Sequence, residues 1–170
     1  MNDTSTPAGA HDLDDFVVLS AALTGIAASK LRPVLDTHGT AQTYLDLATA
    51  KDGATFAALM SIYRAHESQP AAEVAKVILE GSGTAVAYLA RSIMLLWYLA
   101  SWYDPDQLPV LSQGPPAFVP STVVSADAYT QGWVWRVGQT HPMGYSEWKF
   151  GYWHSEPPPL AAFIADGGAT

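Results

Sequence analysis

Apolar residues recur at intervals of three and four through the N-terminal part of the chain, which is the spacing of one face of an α-helix. The pattern predicts five helices, which begin near Asp12, near Pro33, after Asp52, at Pro70 and near Thr84. Acidic residues and proline suit the first turn of a helix, where the backbone N–H groups lack partners. The last of the five, residues 84–102, is apolar on nearly every side apart from Arg91. We therefore expect it to lie at the enclosed centre of a bundle.

The pattern changes after residue 103. Residues 104–120 contain five prolines and no periodicity, which predicts a long loop. Ser125 is suited to cap a short helix that ends at Gly138. Residues 139–159 are irregular and rich in Gly, Pro and aromatic residues. No strand pattern of useful length is found.

These elements predict an all-α fold, a compact bundle of five or six helices with a long irregular C-terminal segment rich in Gly, Pro and aromatic residues. We expect residues 1–11 to be a disordered N-terminus, residues 12–164 to form a single helical domain, and residues 165–170 to be a frayed tail. A length of 170 residues suits one domain with its own core.

Composition points towards a protein partner. Charged residues make up only 14% of the chain against 49% apolar residues, so part of the apolar surface is expected to be covered by another subunit. The net charge is −8 and no Lys/Arg cluster exists, which argues against nucleic acid and anionic membrane as partners. The apolar run after Arg91 is too short to span a bilayer. The absence of cysteine excludes thiolate catalysis, cysteine zinc sites and disulfides.

The N-terminus, residues 1–11, has no basic region, apolar run or twin arginine, so it does not read as an export signal. The chain is therefore expected to be cytoplasmic, to travel with a partner, or to have had a signal removed.

No grouping of residues predicts catalysis or a metal site. The five histidines are His11, His38, His66, His141 and His154, and no two have the spacing of metal ligands on one helix face. Gly81–Thr84 follows a helix and lacks a Lys-Ser/Thr pair, so a turn is predicted there and not a phosphate loop. Asp104 and Asp106 flank a proline and read as turn residues. His141 would need Glu147 to act as a general base, and a loop histidine bonded to the backbone is the favoured interpretation.

Aromatic residues are concentrated late in the chain, where 14 of 19 lie at or after Trp97. Trp97 is predicted to belong to the core. Trp102 and Tyr103, at the end of the same predicted helix, are expected to be half exposed. Trp133 and Trp135 are two residues apart on a helix, so one is expected to face the core and the other to point outward.

Exposed Trp and Tyr are favoured anchors of protein interfaces, and they also stack on sugars. We predict a partner interface made by Trp102, Tyr103, Tyr129, Trp133, Trp135, His141, Met143, Phe150, Tyr152 and Trp153. The alternative is a carbohydrate-binding module that stacks sugars on Trp102, Trp133 and Trp153. A third hypothesis is a small enzyme that uses His141.

Several phrases of the sequence resemble one known family. They are Phe16-x-x-Leu19-Ser20-x-x-Leu23-Thr24-Gly25, Leu96-Trp97-Tyr98 followed by Ser101-Trp102-Tyr103, Val124-Ser125-x-x-x-Tyr129-x-x-Gly132-x-Val134-Trp135, His141-Pro142-Met143-Gly144 and Phe150-Gly151-Tyr152-Trp153. In order and spacing they resemble the small (gamma) subunit of membrane-bound FAD-dependent sorbitol, fructose and glucose dehydrogenase complexes. The resemblance extends from about Asp14 to Pro159.

The resemblance implies a helical, non-catalytic subunit of a large flavoprotein of the glucose-methanol-choline type. In such complexes the large subunit carries FAD and oxidises the alcohol, and a cytochrome c subunit is often the electron acceptor. The small subunit serves maturation and export, which implies a periplasmic location. This sequence departs from the family in lacking a twin-arginine signal, and it also lacks the cysteines that some relatives carry. The family pattern assigns no catalytic, cofactor-binding or metal-binding residue to this subunit.

Overall fold

Helices account for most of the computed structural model, which describes residues 8–113 and 118–142. The eight α-helices of this part are α1 (Ala8–Thr24), α2 (Ala28–Leu31), α3 (Thr40–Lys51), α4 (Gly53–His66), α5 (Ala71–Lys76), α6 (Thr84–Leu99), α7 (Ala126–Gln131) and α8 (Trp133–Val137). A π-helical turn, Val77–Gly81, continues α5, and a 3₁₀-helix covers Pro105–Gln113. The predicted all-α class is confirmed. The number of helices is larger than predicted because α2 was not expected and the helix predicted after Ser125 is divided into α7 and α8.

Helix α6 is the enclosed centre that its sequence predicts. No residue from Val86 to Leu99 is exposed, and α6 contacts α1, α3, α4 and α8. Trp97 packs at its C-terminal end against Tyr44, with ring centres 4.8 Å apart and nearly perpendicular planes. Arg91, the one charge of α6, places its guanidinium 5.2 Å from the ring centre of Tyr88, a cation–π contact that accommodates the charge within the bundle.

Local capping chemistry determines several helix ends. The carboxylate of Asp52 accepts a hydrogen bond from the backbone N–H of Thr55 at 3.0 Å, and Ser125 Oγ accepts one from Ala128 N–H at 3.0 Å. Each satisfies one of the orphan donors at a helix start. Gly25 follows α1 with a φ of +74°, a conformation that glycine adopts at no steric cost. These caps were predicted from the sequence and are confirmed.

Two predicted boundaries in the first half of the chain are wrong. Helix α1 begins at Ala8 and not near Asp12. Pro33 does not begin a helix, because it comes after α2 and is followed by a non-helical stretch that reaches Gly39. Proline restricts the residue before it, and Arg32 is accordingly extended, with φ −132° and ψ 86°.

The segment after α6 also differs from the prediction. Helix α6 ends at Leu99, and residues 101–103 form a strand, β1 (Ser101–Tyr103). It pairs antiparallel with β2 (Ser121–Val123), with Trp102 opposite Thr122. The predicted absence of strands was therefore wrong for this pair, and part of the predicted loop is the 3₁₀-helix Pro105–Gln113. The helix expected up to Gly138 is interrupted at Gly132, which is extended (φ −51°, ψ 132°).

Within the described residues, no helix has the length and apolar character needed to cross a bilayer.

The enclosure of α6 predicts a contrast between two Leu→Ala substitutions. Leu89 is 0% exposed on α6, whereas Leu35 is 86% exposed in the stretch after Pro33. Leu89→Ala is expected to lower the free energy of unfolding by about 2–5 kcal/mol, since it removes buried apolar surface and leaves a cavity. Leu35→Ala is expected to change it by less than about 0.5 kcal/mol. Urea denaturation monitored by circular dichroism measures both, and equal losses would contradict the described position of α6.

Candidate protein-interaction site

The ten residues predicted for the interface are placed very differently by the structure. Trp102 is 5% exposed and Trp133 is 4% exposed, so both are core residues of this chain. The side chains that are half-buried are those of Tyr103, Tyr129, Trp135 and His141. Met143, Phe150, Tyr152 and Trp153 lie outside the described residues.

The expectation that Trp102 is half exposed is wrong because α6 ends before it. Ala100 adopts a left-handed conformation, with φ +52° and ψ 30°, and the chain leaves the helix axis there. Trp102 is consequently on a strand, where side chains alternate between faces, and its ring joins the core. Of the two tryptophans in α8, Trp133 faces the core as expected, whereas Trp135 is half-buried and does not point fully outward. Because sugar stacking needs an exposed ring face, Trp102 and Trp133 do not supply the platforms of a carbohydrate-binding module.

The end of α6 is the point where separated phrases of the sequence meet. Tyr98 donates a hydrogen bond from its hydroxyl to the backbone oxygen of Thr24, at 2.9 Å, across 74 positions of sequence. Thr24 in turn donates from Oγ1 to the backbone oxygen of Ser20, at 2.7 Å. Burial raises the pKa of the Tyr98 hydroxyl above its ordinary value, so this group remains a hydrogen-bond donor at neutral pH.

The helix pair α7 and α8 is held to the same end of α6. Gly132 lies so close that a Cβ built on it would be 3.0 Å from the backbone oxygen of Tyr98. Trp135 Nε1 donates to the backbone oxygen of Tyr129 at 2.7 Å, and the two rings meet edge-on with centres 5.1 Å apart. The residues of three sequence phrases thus form one packed unit.

A small pocket lies where α2, α3, α6 and the α7–α8 pair come together. Its volume is about 80 Å³, and its lining residues are Lys30, Leu31, Pro33, Asp36, His38, Thr40, Tyr44, Trp97, Gln131, Trp133 and Arg136. We call it the Lys30–Arg136 pocket. Pockets for drug-sized ligands and cofactors have volumes of about 300–1,000 Å³, so a flavin or a nucleotide does not fit this one.

One side of the pocket is the stretch of residues 32–39, which we call the rim loop. Asp36 Oδ1 accepts hydrogen bonds from the backbone N–H groups of His38 (3.1 Å) and Gly39 (2.8 Å), which closes a tight turn. His38 Nδ1 lies 2.7 Å from Asp127 Oδ2 in the first turn of α7, although the two residues are 89 positions apart. Arg32 pairs with Asp14 of α1. These contacts determine the conformation at the base of the loop.

The tip of the rim loop carries two exposed aliphatic side chains. Val34 is fully exposed and Leu35 is nearly so, side by side on the chain. These two residues were not predicted to be exposed, because the residues after Pro33 were expected to form a helix. The tight-turn residues Asp36 and Gly39 were the signal that could have found a loop here, since Pro33 by itself is compatible with the first turn of a helix.

The residues that were considered for catalysis make structural hydrogen bonds in the described part of the chain. Asp104 Oδ1 accepts a hydrogen bond from the backbone N–H of Asp106 at 3.1 Å, the arrangement of a turn. His141 Nδ1 lies 3.0 Å from the backbone oxygen of Pro142, which fits the predicted loop histidine. Glu147 lies outside the described residues. Among residues 8–113 and 118–142, no group of three or more acidic residues or histidines is arranged to hold a metal ion.

The close contact at Gly132 predicts a contrast between two Gly→Ala substitutions. Gly132→Ala is expected to lower the free energy of unfolding by about 1–3 kcal/mol, because the added methyl group meets the Tyr98 carbonyl and forces a shift. Gly53→Ala, in the first turn of α4, meets no atom within 4 Å. It is expected to leave stability unchanged or to raise it by up to about 1 kcal/mol. Thermal unfolding compares the two, and a Gly132→Ala protein as stable as Gly53→Ala would contradict the described packing of α7–α8 on α6.

Comparison with known proteins gives no relative from which to transfer a function: no protein-family model, no curated protein and no solved structure matches this chain.

Proposed function

We propose that this chain is a non-catalytic, chaperone-like small subunit that binds and matures a large FAD-dependent sugar or alcohol dehydrogenase of the glucose-methanol-choline type. The FAD and the chemistry belong to the large subunit in this proposal, and a cytochrome c subunit is a further expected member of the complex. The proposal starts from the resemblance of several sequence phrases to the small subunits of such dehydrogenases.

The observation that carries the proposal is the convergence of those phrases in space. The second phrase contributes Tyr98, whose hydroxyl donates to Thr24 of the first phrase and whose backbone oxygen lies against Gly132 of the third. Residues of three of the matched phrases therefore belong to one packed unit, which supports the proposal.

Surface character gives the proposal a second support. The chain has few charges, and aliphatic side chains are exposed at the rim loop while the rings of Tyr103, Tyr129 and Trp135 are half-buried. Aromatic and aliphatic groups that remain partly accessible are typical of the centre of protein interfaces. Permanent complexes bury about 2,000 Å² or more of total surface, so an interface here is expected to cover a large part of one face.

Co-expression tests the proposal directly. A large flavoprotein of the glucose-methanol-choline type from the same genome is produced with and without this chain, and the yield of soluble, FAD-loaded, active dehydrogenase is measured. We expect the two chains to co-purify, and we expect FAD loading and turnover to fall several-fold when this chain is omitted. A flavoprotein that folds, binds FAD and turns over equally well alone would show the proposal to be wrong.

A matched pair of tyrosine variants separates binding from folding. Tyr103 on β1 and Tyr88 on α6 are both half-buried. Tyr103→Ala is expected to weaken the complex by about 5–30-fold, the effect of losing one interface anchor. Tyr88→Ala is expected to lower the stability of this chain as much as Tyr103→Ala does, but to leave the affinity for the large subunit unchanged. Affinity is measured by surface plasmon resonance and stability by thermal unfolding. Equal effects of the two variants on affinity would place the interface elsewhere.

A further inference from the structure

The size of the Lys30–Arg136 pocket limits what can occupy it. Its volume is about 80 Å³. An apolar cavity of about 150 Å³ takes one benzene molecule, so this pocket has room for a group of a few atoms, such as the end of a single side chain. A free sugar, a nucleotide or a flavin would extend far beyond it.

The charges around the pocket favour an acidic occupant. Lys30 and Arg136 both line it, and neither forms an ion pair with a carboxylate among the described residues. The guanidinium of Arg136 lies 4.8 Å from the ring centre of Trp133, a stacking contact that limits its movement. In a chain whose net charge is −8, two cations that line one pocket with a single carboxylate, that of Asp36, and form an ion pair with no described carboxylate stand out from the surrounding charge.

The acidic groups at the pocket are already engaged within the chain. Asp36 accepts two backbone N–H bonds that close the rim loop, and Asp127 pairs with His38. Asp127 is not part of the pocket lining, and neither carboxylate lies within ion-pair distance of Lys30 or Arg136. The lining of the pocket also includes the ring of Trp97, whose Nε1 is buried and has no hydrogen-bond acceptor among the described residues.

The rim loop adds an apolar contact beside these cations. Val34 and Leu35 are exposed, while Pro33, Asp36 and His38 of the same loop line the pocket. Each of the two aliphatic residues is therefore next in sequence to a residue that lines the pocket. This combination suits a carboxylate that is presented by a protein next to an apolar residue.

We propose that the Lys30–Arg136 pocket and the rim loop form a docking site for one acidic side chain of a partner protein. Its carboxylate pairs with Lys30 and Arg136, and an apolar neighbour in the partner packs on Val34 and Leu35. The identity of that partner as the dehydrogenase subunit rests on the proposed function, whereas the chemistry of the docking site does not.

Charge reversal in the complex is the first test. The variant Lys30→Glu/Arg136→Glu is compared with Lys51→Glu/Lys76→Glu, which makes the same charge change at exposed positions of α3 and α5. We expect the first pair to weaken binding of the large subunit by at least about 10-fold, because the partner's carboxylate would then face like charges. The second pair is expected to change it by less than about two-fold. If the wild-type complex forms and both pairs weaken it equally, the docking site is wrong while the proposed function stands.

Peptide binding to the isolated full-length chain is the second test. The probe is N-acetyl-leucyl-glutamate amide, which places one carboxylate beside an apolar side chain. Its neutral isostere, N-acetyl-leucyl-glutamine amide, is the control. We expect the glutamate peptide to shift the indole N–H signals of Trp97 and Trp133 saturably in NMR spectra, and the shifts to disappear in Lys30→Ala/Arg136→Ala.

The second test separates failure of the docking site from failure of the proposed function. Equal responses to the two peptides, or shifts that persist in the double alanine variant, would overturn the docking site. If the large subunit does not bind the chain but the glutamate peptide does, the docking site holds and serves another protein. In that case the proposed function alone has failed.

Discussion

The enclosure of α6 by its neighbours governs the path of the chain from Leu99 onward. The helix has no exposed face between Val86 and Leu99. Further helical residues after Leu99 would extend beyond the elements that pack around α6. At its end Ala100 is 0% exposed and takes a left-handed conformation that glycine usually supplies. Such a conformation costs a non-glycine residue about 1–3 kcal/mol and persists only where the surroundings determine it. Here the surroundings are the core itself, together with the hydrogen bond from Val124 N–H to the Ala100 backbone oxygen.

The turn at Ala100 makes the candidate site a product of long-range contacts. It sends the chain into β1, and the pairing of β1 with β2 returns it so that α7 and α8 pack on the end of α6. Only then does Arg136 lie at the same pocket as Lys30, and only then does Asp127 reach His38. The pocket therefore depends on the packing of α6 even though α6 contributes a single residue, Trp97, to its lining.

The features that could be predicted from the sequence are those determined by residues close together in the chain. The caps at Asp52 and Ser125 and the stop at Gly25 depend on a few neighbouring residues, and these predictions are confirmed. The enclosure of α6 followed from its own composition. The end of α6 at Leu99 and the break at Gly132 could not be predicted, because each is determined by packing between segments far apart in the sequence. The rim loop is a different case, since Asp36 and Gly39 carried a local turn signal that the choice of Pro33 as a helix start outweighed.

The burial of Trp102 and Trp133 changes which surface a partner would recognise. A surplus of large rings in a chain with few charges first suggests an aromatic binding surface, but two of those rings are part of the core of this chain. What remains accessible in the described part includes half-buried rings, the exposed ring of Phe118, exposed aliphatic side chains on the rim loop, and two cations at the adjoining pocket. Exposed rings occur at both sugar-binding and protein-binding surfaces, whereas cations near aliphatic side chains would favour an acidic side chain in an apolar setting. At the proposed docking site the charges would supply specificity and the apolar contact would supply affinity, a division common at protein interfaces. The buried aromatic residues would then build the platform, and the rim loop and its pocket would bind the partner that we propose.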